Sequence, residues 1–129
     1  MKNRKTQYRE FSRNIRHAVK EGVAAYAKEY VSRLSDEDVL RIKIGRSNGG
    51  KICSFSIRYV YYQDADGKDV LRIDADQHER PHIHIFDPGG LNERKQILAE
   101  ADGSNEKAFR TALEYIKHSY KTYKDNYIN

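Results

Sequence analysis

Three of the five histidines in this 129-residue chain fall within seven residues, at His78, His82 and His84. Successive side chains of an extended strand point to opposite faces, so His82 and His84 share one face. Pro81 suits the start of such a strand because it has no N–H to donate, and His78 then lies in the preceding loop, within reach of the pair. The spacing predicts a histidine cluster on one side of a β-sheet.

Metal-free cleavage of RNA is one chemistry that uses such a cluster. One histidine takes the proton of a 2′-hydroxyl, another protonates the leaving oxygen, and a guanidinium stabilises the charge that develops on the phosphate. Histidine suits both steps because its side chain ionises near neutral pH. The catalytic set that we assign from the sequence is His78, His82, His84, Arg80, Arg72 and Asp74.

Metal binding is the second chemistry. Neutral imidazoles two residues apart on a strand can chelate one divalent ion, completed by a further imidazole or a carboxylate. The candidate ligands are His78, His82, His84 and Asp76, with Asp74 as a further oxygen donor. The sequence is compatible both with a protein that requires no cofactor and with one that binds a divalent metal. A third interpretation is that the paired histidines are surface residues whose rings cover the sheet.

An antiparallel sheet has to position these residues. Between residues 40 and 101 apolar side chains recur at every second position, which is typical of strands, and Gly-, Asn- and Asp-rich segments separate the runs as turns. The alternation predicts strands at residues 40–44, 51–63, 68–74, 81–86 and 95–100.

Helical spacing dominates both ends of the chain. Apolar residues recur every three or four positions over residues 6–34, and again over residues 104–125, where Ser104 suits the N-cap. The predicted fold class is therefore α+β: an antiparallel four- to five-stranded meander flanked by a long N-terminal and a C-terminal helix, in two layers. We expect residues 1–129 to form a single α-β(4–5)-α domain.

Charge is unevenly distributed along the chain. The formal net charge of +5 divides into +6 over residues 1–33, −3 over residues 34–103 and +2 over residues 104–129. Such asymmetry favours an anionic partner, either nucleic acid or an acidic protein, although a solvated basic helix is the alternative. The side chains that we assign to nucleic-acid binding are Arg9, Arg13, Arg16, Lys20 and Arg58.

Three absences in the sequence bear on the compartment. The chain has no apolar run long enough to span a membrane and no apolar signal core after its first residues, so we expect a cytoplasmic protein without a membrane partner. Its single cysteine cannot form an internal disulfide or a cysteine-based zinc site.

Residues 78–84 resemble the H-x-x-P-H-x-H strand of small bacterial and archaeal domains of unknown function that are often encoded in toxin–antitoxin-like pairs. Residues 55–86 also resemble the TumE toxin family, in which a strand ending in R-x-D precedes a P-H-x-H-like segment. The resemblance implies a compact cytoplasmic toxin of ribonuclease type that an antitoxin neutralises. The matching positions are Arg72, Asp74, His82 and His84.

The leading hypothesis is therefore a toxin-like, RNA-acting protein that works by histidine acid–base chemistry. One alternative is a non-enzymatic module that binds nucleic acid or protein through a basic N-terminal helix. Another is a histidine-based protein that binds a divalent metal. RNA and an antitoxin protein are the expected partners, and a homodimer is a further assembly that we consider.

Overall fold

The computed structural model describes residues 26–76, 79–90, 93–98 and 104–128. Within these residues six strands form one antiparallel sheet in the order of the chain, and one long helix follows. A short 3-10 turn, Pro88–Gly90, precedes the last strand. The strands are β1 Tyr26–Arg33, β2 Asp38–Arg46, β3 Ile52–Tyr62, β4 Gly67–Asp76, β5 Glu79–Phe86 and β6 Glu93–Ile97, and the helix α1 is Asn105–Ile128.

Only a few residues separate consecutive strands, and consecutive strands are neighbours in the sheet. The turn between β2 and β3 is closed by bonds from Ser47 N to Lys51 O at 2.8 Å and from Gly50 N to Ser47 O at 2.9 Å. Gly50 has a φ of 82°, a left-handed conformation that glycine adopts without steric cost. The glycine-containing segment of the sequence therefore makes the hairpin that sets the register of β2 and β3.

The hydrophobic core lies between α1 and one face of the sheet. Phe55, Ile57 and Tyr59 alternate along β3 and are each 0% exposed. The rings of Phe55 and Phe109 pack edge to face with centroids 5.5 Å apart, and those of Tyr59 and Tyr120 do so at 5.6 Å. We call the opposite side of the sheet the polar face, because the intervening positions of the strands, which carry most of the charged side chains, point there.

The predicted fold class is wrong in the number of strands and in its N-terminal part. Tyr26–Arg33 forms strand β1, where the sequence analysis predicts helix, and the described residues contain a single α-helix. Residues 6–25 of the predicted N-terminal helix lie outside the described residues. The sheet has six strands instead of four or five.

The physical reason is that the side chains of this segment do not form a buried helical stripe. Tyr30 is 37% exposed and Val31 is 56% exposed. Aromatic and β-branched residues also favour strands, and eight consecutive pairings with β2, from Tyr26–Arg46 to Arg33–Val39, decide the conformation. Spacing alone does not distinguish the two structures in a short segment that packs at an edge.

The remaining elements lie close to the predicted positions. Strands β2 to β6 overlap the five predicted runs, and α1 extends to Ile128 where residue 125 is predicted. Ser104 caps the helix as expected, since its Oγ accepts a bond from the Lys107 N–H at 3.3 Å. Among the described residues, no helix is both long and apolar enough to cross a lipid bilayer.

Candidate functional site

One basic side chain from each of five adjacent strands lines up across the polar face. The register pairs Arg41 with Arg58, Arg58 with Arg72, Arg72 with His84, and His84 with Lys95. Directly paired residues of antiparallel strands point to the same side, with their Cβ atoms about 5 Å apart. These five residues, from β2 to β6, therefore form a continuous row, which we call the basic row.

The basic row is accessible at its ends and enclosed at its centre. Arg41 and Lys95 are exposed, whereas Arg72 is 2% exposed and His84 is 5% exposed. Arg58 is half-buried, and its Nε atom donates a hydrogen bond to Asp69 Oδ1 on β4. Arg41 and Lys95 can therefore contact a ligand directly. The buried Arg72 and His84 can act on a ligand only through their electrostatic field and by supporting the surface of the sheet.

A buried ion-pair network surrounds the centre of the row. Arg72 Nε donates to Asp74 Oδ2 at 2.7 Å, and the Arg72 guanidinium lies 5.8 Å from the ring centroid of Phe86. His84 Nε2 is 3.3 Å from Asp74 Oδ1, and His84 Nδ1 bonds Glu93 Oε1. We call Arg72, Asp74, His84 and Glu93 the histidine cluster.

Both ring nitrogens of His84 therefore face carboxylates. With both ring nitrogens in contact with carboxylates and the ring buried, His84 is not accessible to a substrate. The cluster consequently holds β4, β5 and β6 together, and His84 is a positioning residue within it.

Asp74 lies between Arg72 and His84 in the cluster. Burial raises the pKa of its carboxyl, but the hydrogen bond with His84 and the nearby charge of Arg72 outweigh burial and hold that pKa below its ordinary value. Asp74 is therefore a carboxylate at neutral pH. It orients its neighbours and is poorly suited to act as a general acid.

His82 is the more accessible histidine of the pair. It lies two residues before His84 on the same face, opposite Asp74 in the register, and is half-buried. Its Nδ1 atom is 2.5 Å from the carbonyl oxygen of Arg80. In the neutral ring this bond places the proton on Nδ1 and the basic lone pair on Nε2.

The other sequence-predicted site residues are dispersed. Arg80 is exposed, and Asp76 is half-buried near the end of β4, where it pairs with Glu79. Across residues 26–76, 79–90, 93–98 and 104–128, no group of three or more His, Cys, Asp and Glu side chains is arranged to hold a metal ion. Five further assigned residues lie outside the described part of the chain: His78, Arg9, Arg13, Arg16 and Lys20.

The sequence analysis missed several residues that the sheet brings to this face. Glu93 becomes the partner of His84 only through the pairing of β5 with β6. Arg41 and Lys95 join the basic row through the registers of two other strand pairs. Alternation within each strand assigns a face to each of them, but their alignment needs the register across the sheet.

In the part of the chain that the structure describes, the fold and this site define two layers, with helix α1 on one face of an antiparallel meander and the basic row on the other. The chain belongs to the family described as Domain of unknown function (DUF7718), whose profile matches residues 25–129. Comparison with curated proteins and with solved structures finds no match. The resemblance to the TumE family, an antitoxin partner and a cytoplasmic location therefore stay predictions, because this family assigns no activity.

Proposed function

We propose that the protein binds RNA, with the phosphates of the strand lying along the basic row. The observation that carries this proposal is the register, which places Arg41, Arg58, Arg72, His84 and Lys95 on one face, one from each of five neighbouring strands. Contacts between basic side chains and phosphates supply most of the sequence-independent affinity for nucleic acids.

The dimensions of the row suit a short stretch of nucleic acid. Neighbouring strands lie about 4.8 Å apart, so five strands span roughly 19 Å, and a stacked strand rises about 3.4 Å per nucleotide. The carboxylates of Asp69, Asp74 and Glu93 offset charge at the centre of the row. Arg41 and Lys95 are exposed, so these two members of the row can contact a phosphate directly.

Neutralising the two exposed ends of the row tests the proposal. The double variant Arg41→Gln, Lys95→Gln is compared with Lys117→Gln, Lys121→Gln, which removes the same charge from exposed positions on α1. The probe is a fluorescein-labelled, unstructured 12-nucleotide RNA, and anisotropy gives the affinity at several salt concentrations. The slope of log K against log salt is negative, and loss of two phosphate contacts reduces its magnitude by about 1.4.

We expect that decrease in the row variant and an unchanged slope in the helix variant. Equal slopes in the two variants contradict the proposal, because the basic row would then contribute no more than any other surface lysines. A wild-type affinity weaker than about 10⁻⁴ M also contradicts it. Equal binding of poly-glutamate of matched charge points instead to an acidic protein partner.

RNA cleavage is a second candidate function, favoured by the hydrogen bond between His82 Nδ1 and the Arg80 carbonyl oxygen. His82 Nε2 would take the proton of a 2′-hydroxyl, whose oxygen then attacks the adjacent phosphorus. The 5′ oxygen leaves and takes a proton from water, because His84 is buried in its cluster. Purified wild-type protein should then produce RNA fragments with 2′,3′-cyclic phosphate ends, and purified His82→Ala should not. Equal cleavage by the two proteins excludes this role of His82.

A further inference from the structure

A cleft of about 540 Å³ lies at one end of the basic row. That volume is within the range of sites that bind small organic ligands, roughly 300–1,000 Å³. Strands β1 to β4 contribute its walls and floor. The lining residues that matter for the argument are Val31, Arg41, Arg58, Val60, Tyr62 and Gly67.

The ring of Tyr62 is held in place from two directions. Arg41 Nη2 donates to the Tyr62 hydroxyl at 2.8 Å. Gly67 is the register partner of Tyr62, and a Cβ atom there would lie 2.8 Å from Tyr62 Cε1 and 2.6 Å from Val60 Cγ1. Because those distances are too short for non-bonded carbon atoms, the absence of a side chain at Gly67 permits the position of the ring.

The cleft combines this aromatic ring with two guanidinium groups and an aliphatic floor. Arg58 is oriented by its bond to Asp69, and Val60 is 1% exposed. Glu29 also lines the cleft, but its Oε1 is 2.6 Å from Lys43 Nζ, which offsets its charge. An aromatic surface next to cationic groups suits a ligand with a flat ring and an anionic group.

We propose that this cleft binds one nucleotide of a single-stranded RNA, with the base against Tyr62 and the phosphate near Arg41 and Arg58. The inference rests on the RNA binding proposed above and names its substrate class. Bases of a duplex are paired and stacked inside the helix, whereas bases of a single strand can be splayed onto an aromatic side chain. The cleft therefore makes the polar face select single-stranded over double-stranded RNA.

Affinities for the labelled 12-nucleotide RNA and for its duplex, measured by anisotropy, test the selection. Tyr62→Ala removes the ring, and Gly67→Ala displaces it without changing any charge. Stacking of one base is worth about 5- to 150-fold in affinity, so both variants should lose that factor for the single strand. Their affinity for the duplex should stay within about twofold of the wild type, since phosphate contacts are retained.

Two matched controls separate the cleft from general damage. Tyr62→Phe keeps the ring, and Gly49→Ala adds a methyl group whose nearest neighbour, Ser47 Oγ, is 3.9 Å away. Tyr62→Phe loses the hydroxyl bonded to Arg41 but keeps the stacking surface, so it should retain more single-strand affinity than Tyr62→Ala. Gly49→Ala should bind the single strand within about threefold of the wild type. Equal losses for single strand and duplex in Tyr62→Ala, or no loss in either, overturn the inference.

A titration of the wild type with uridine 5′-monophosphate makes the result independent of RNA binding and of the folding of the variants. We expect NMR shifts of the Val31 and Val60 methyl groups that saturate with nucleotide concentration. Absence of those shifts at millimolar nucleotide overturns the cleft proposal even if RNA binds. Shifts without measurable RNA affinity support the cleft and contradict the proposed function, so the two failures are distinguishable.

Discussion

His84 Nε2 lies 3.3 Å from Asp74 Oδ1, ten residues earlier in the chain. This contact joins β5 to β4, and the second ring nitrogen of His84 bonds Glu93 on β6. A single buried imidazole thus connects carboxylates from two flanking strands. The histidine that the sequence offers as an acid–base group is part of the structure that supports the polar face.

Replacing the two histidines should affect stability very differently. His84→Ala leaves Asp74 and Glu93 without their shared partner, and breaking a buried ion pair in this way costs about 3–5 kcal/mol. His82→Ala should cost about 1 kcal/mol or less, since His82 is half-buried and bonds a backbone carbonyl. Urea unfolding monitored by circular dichroism measures both, and equal or reversed losses would refute the structural role of His84.

Acid should destabilise the protein through Asp74 and Asp38. Burial raises the pKa of each carboxyl, but hydrogen bonds outweigh it: His84 and Arg72 lower the pKa of Asp74, while Ser35, Tyr59 and Lys124 lower that of Asp38. The unfolded chain then binds more protons than the native one. The free energy of unfolding therefore falls as the pH drops below the ordinary aspartate pKa of about 3.9.

Removing one of these carboxylates provides the check on that pH dependence. Asp74→Asn should unfold with a shallower decrease between roughly pH 5 and pH 2 than the wild type, because one depressed carboxyl no longer titrates. Chemical unfolding at a series of pH values measures the slope. Asp64→Asn, in the exposed turn before β4, serves as the control and should keep the wild-type slope. A wild-type slope in Asp74→Asn would mean that this carboxyl has no lowered pKa.

Lys124 connects the C-terminal part of α1 to the turn between β1 and β2. Its Nζ atom is 2.9 Å from Glu37 Oε1, 3.2 Å from Asp38 Oδ2 and 4.4 Å from the ring centroid of Tyr61. Lys124→Ala should therefore lower the unfolding free energy by about 1–3 kcal/mol. The exposed Lys121→Ala should change it by less than about 0.5 kcal/mol, and equal effects would contradict the role of Lys124.

Ser56 and Ser35 differ in whether the side-chain hydroxyl makes a hydrogen bond. The Ser56 Oγ atom is buried on the polar face and has no hydrogen-bond partner among the described residues, and Ser56 is 0% exposed. Ser56→Ala removes an unsatisfied buried group, so stability should stay equal or increase by about 1 kcal/mol. Ser35→Ala loses the 2.6 Å bond to Asp38 and should cost about 1 kcal/mol. Thermal unfolding compares the two, and a clear loss in Ser56→Ala contradicts this account.

Strand β3 shows which structural features a local sequence pattern can predict. The alternation predicts a strand over residues 51–63, and its alternate residues Phe55, Ile57 and Tyr59 all lie in the core against α1. The helix start at Ser104 was also predictable because capping depends on residues within one turn. The conformation of β1 was mispredicted because Tyr30 and Val31 are exposed on the outermost described strand, where apolar periodicity does not distinguish a helix from a strand.

In the candidate site, too, local features were predictable from the sequence and long-range contacts were not. By itself the sequence determined that His82 and His84 point to one side of a strand, because alternation is a property of neighbouring residues. Only the tertiary structure decided that His84 is enclosed between Asp74 and Glu93, and that Arg41, Arg58 and Lys95 align with it. Register and burial depend on pairings between residues distant in the chain, and no local spacing specifies them.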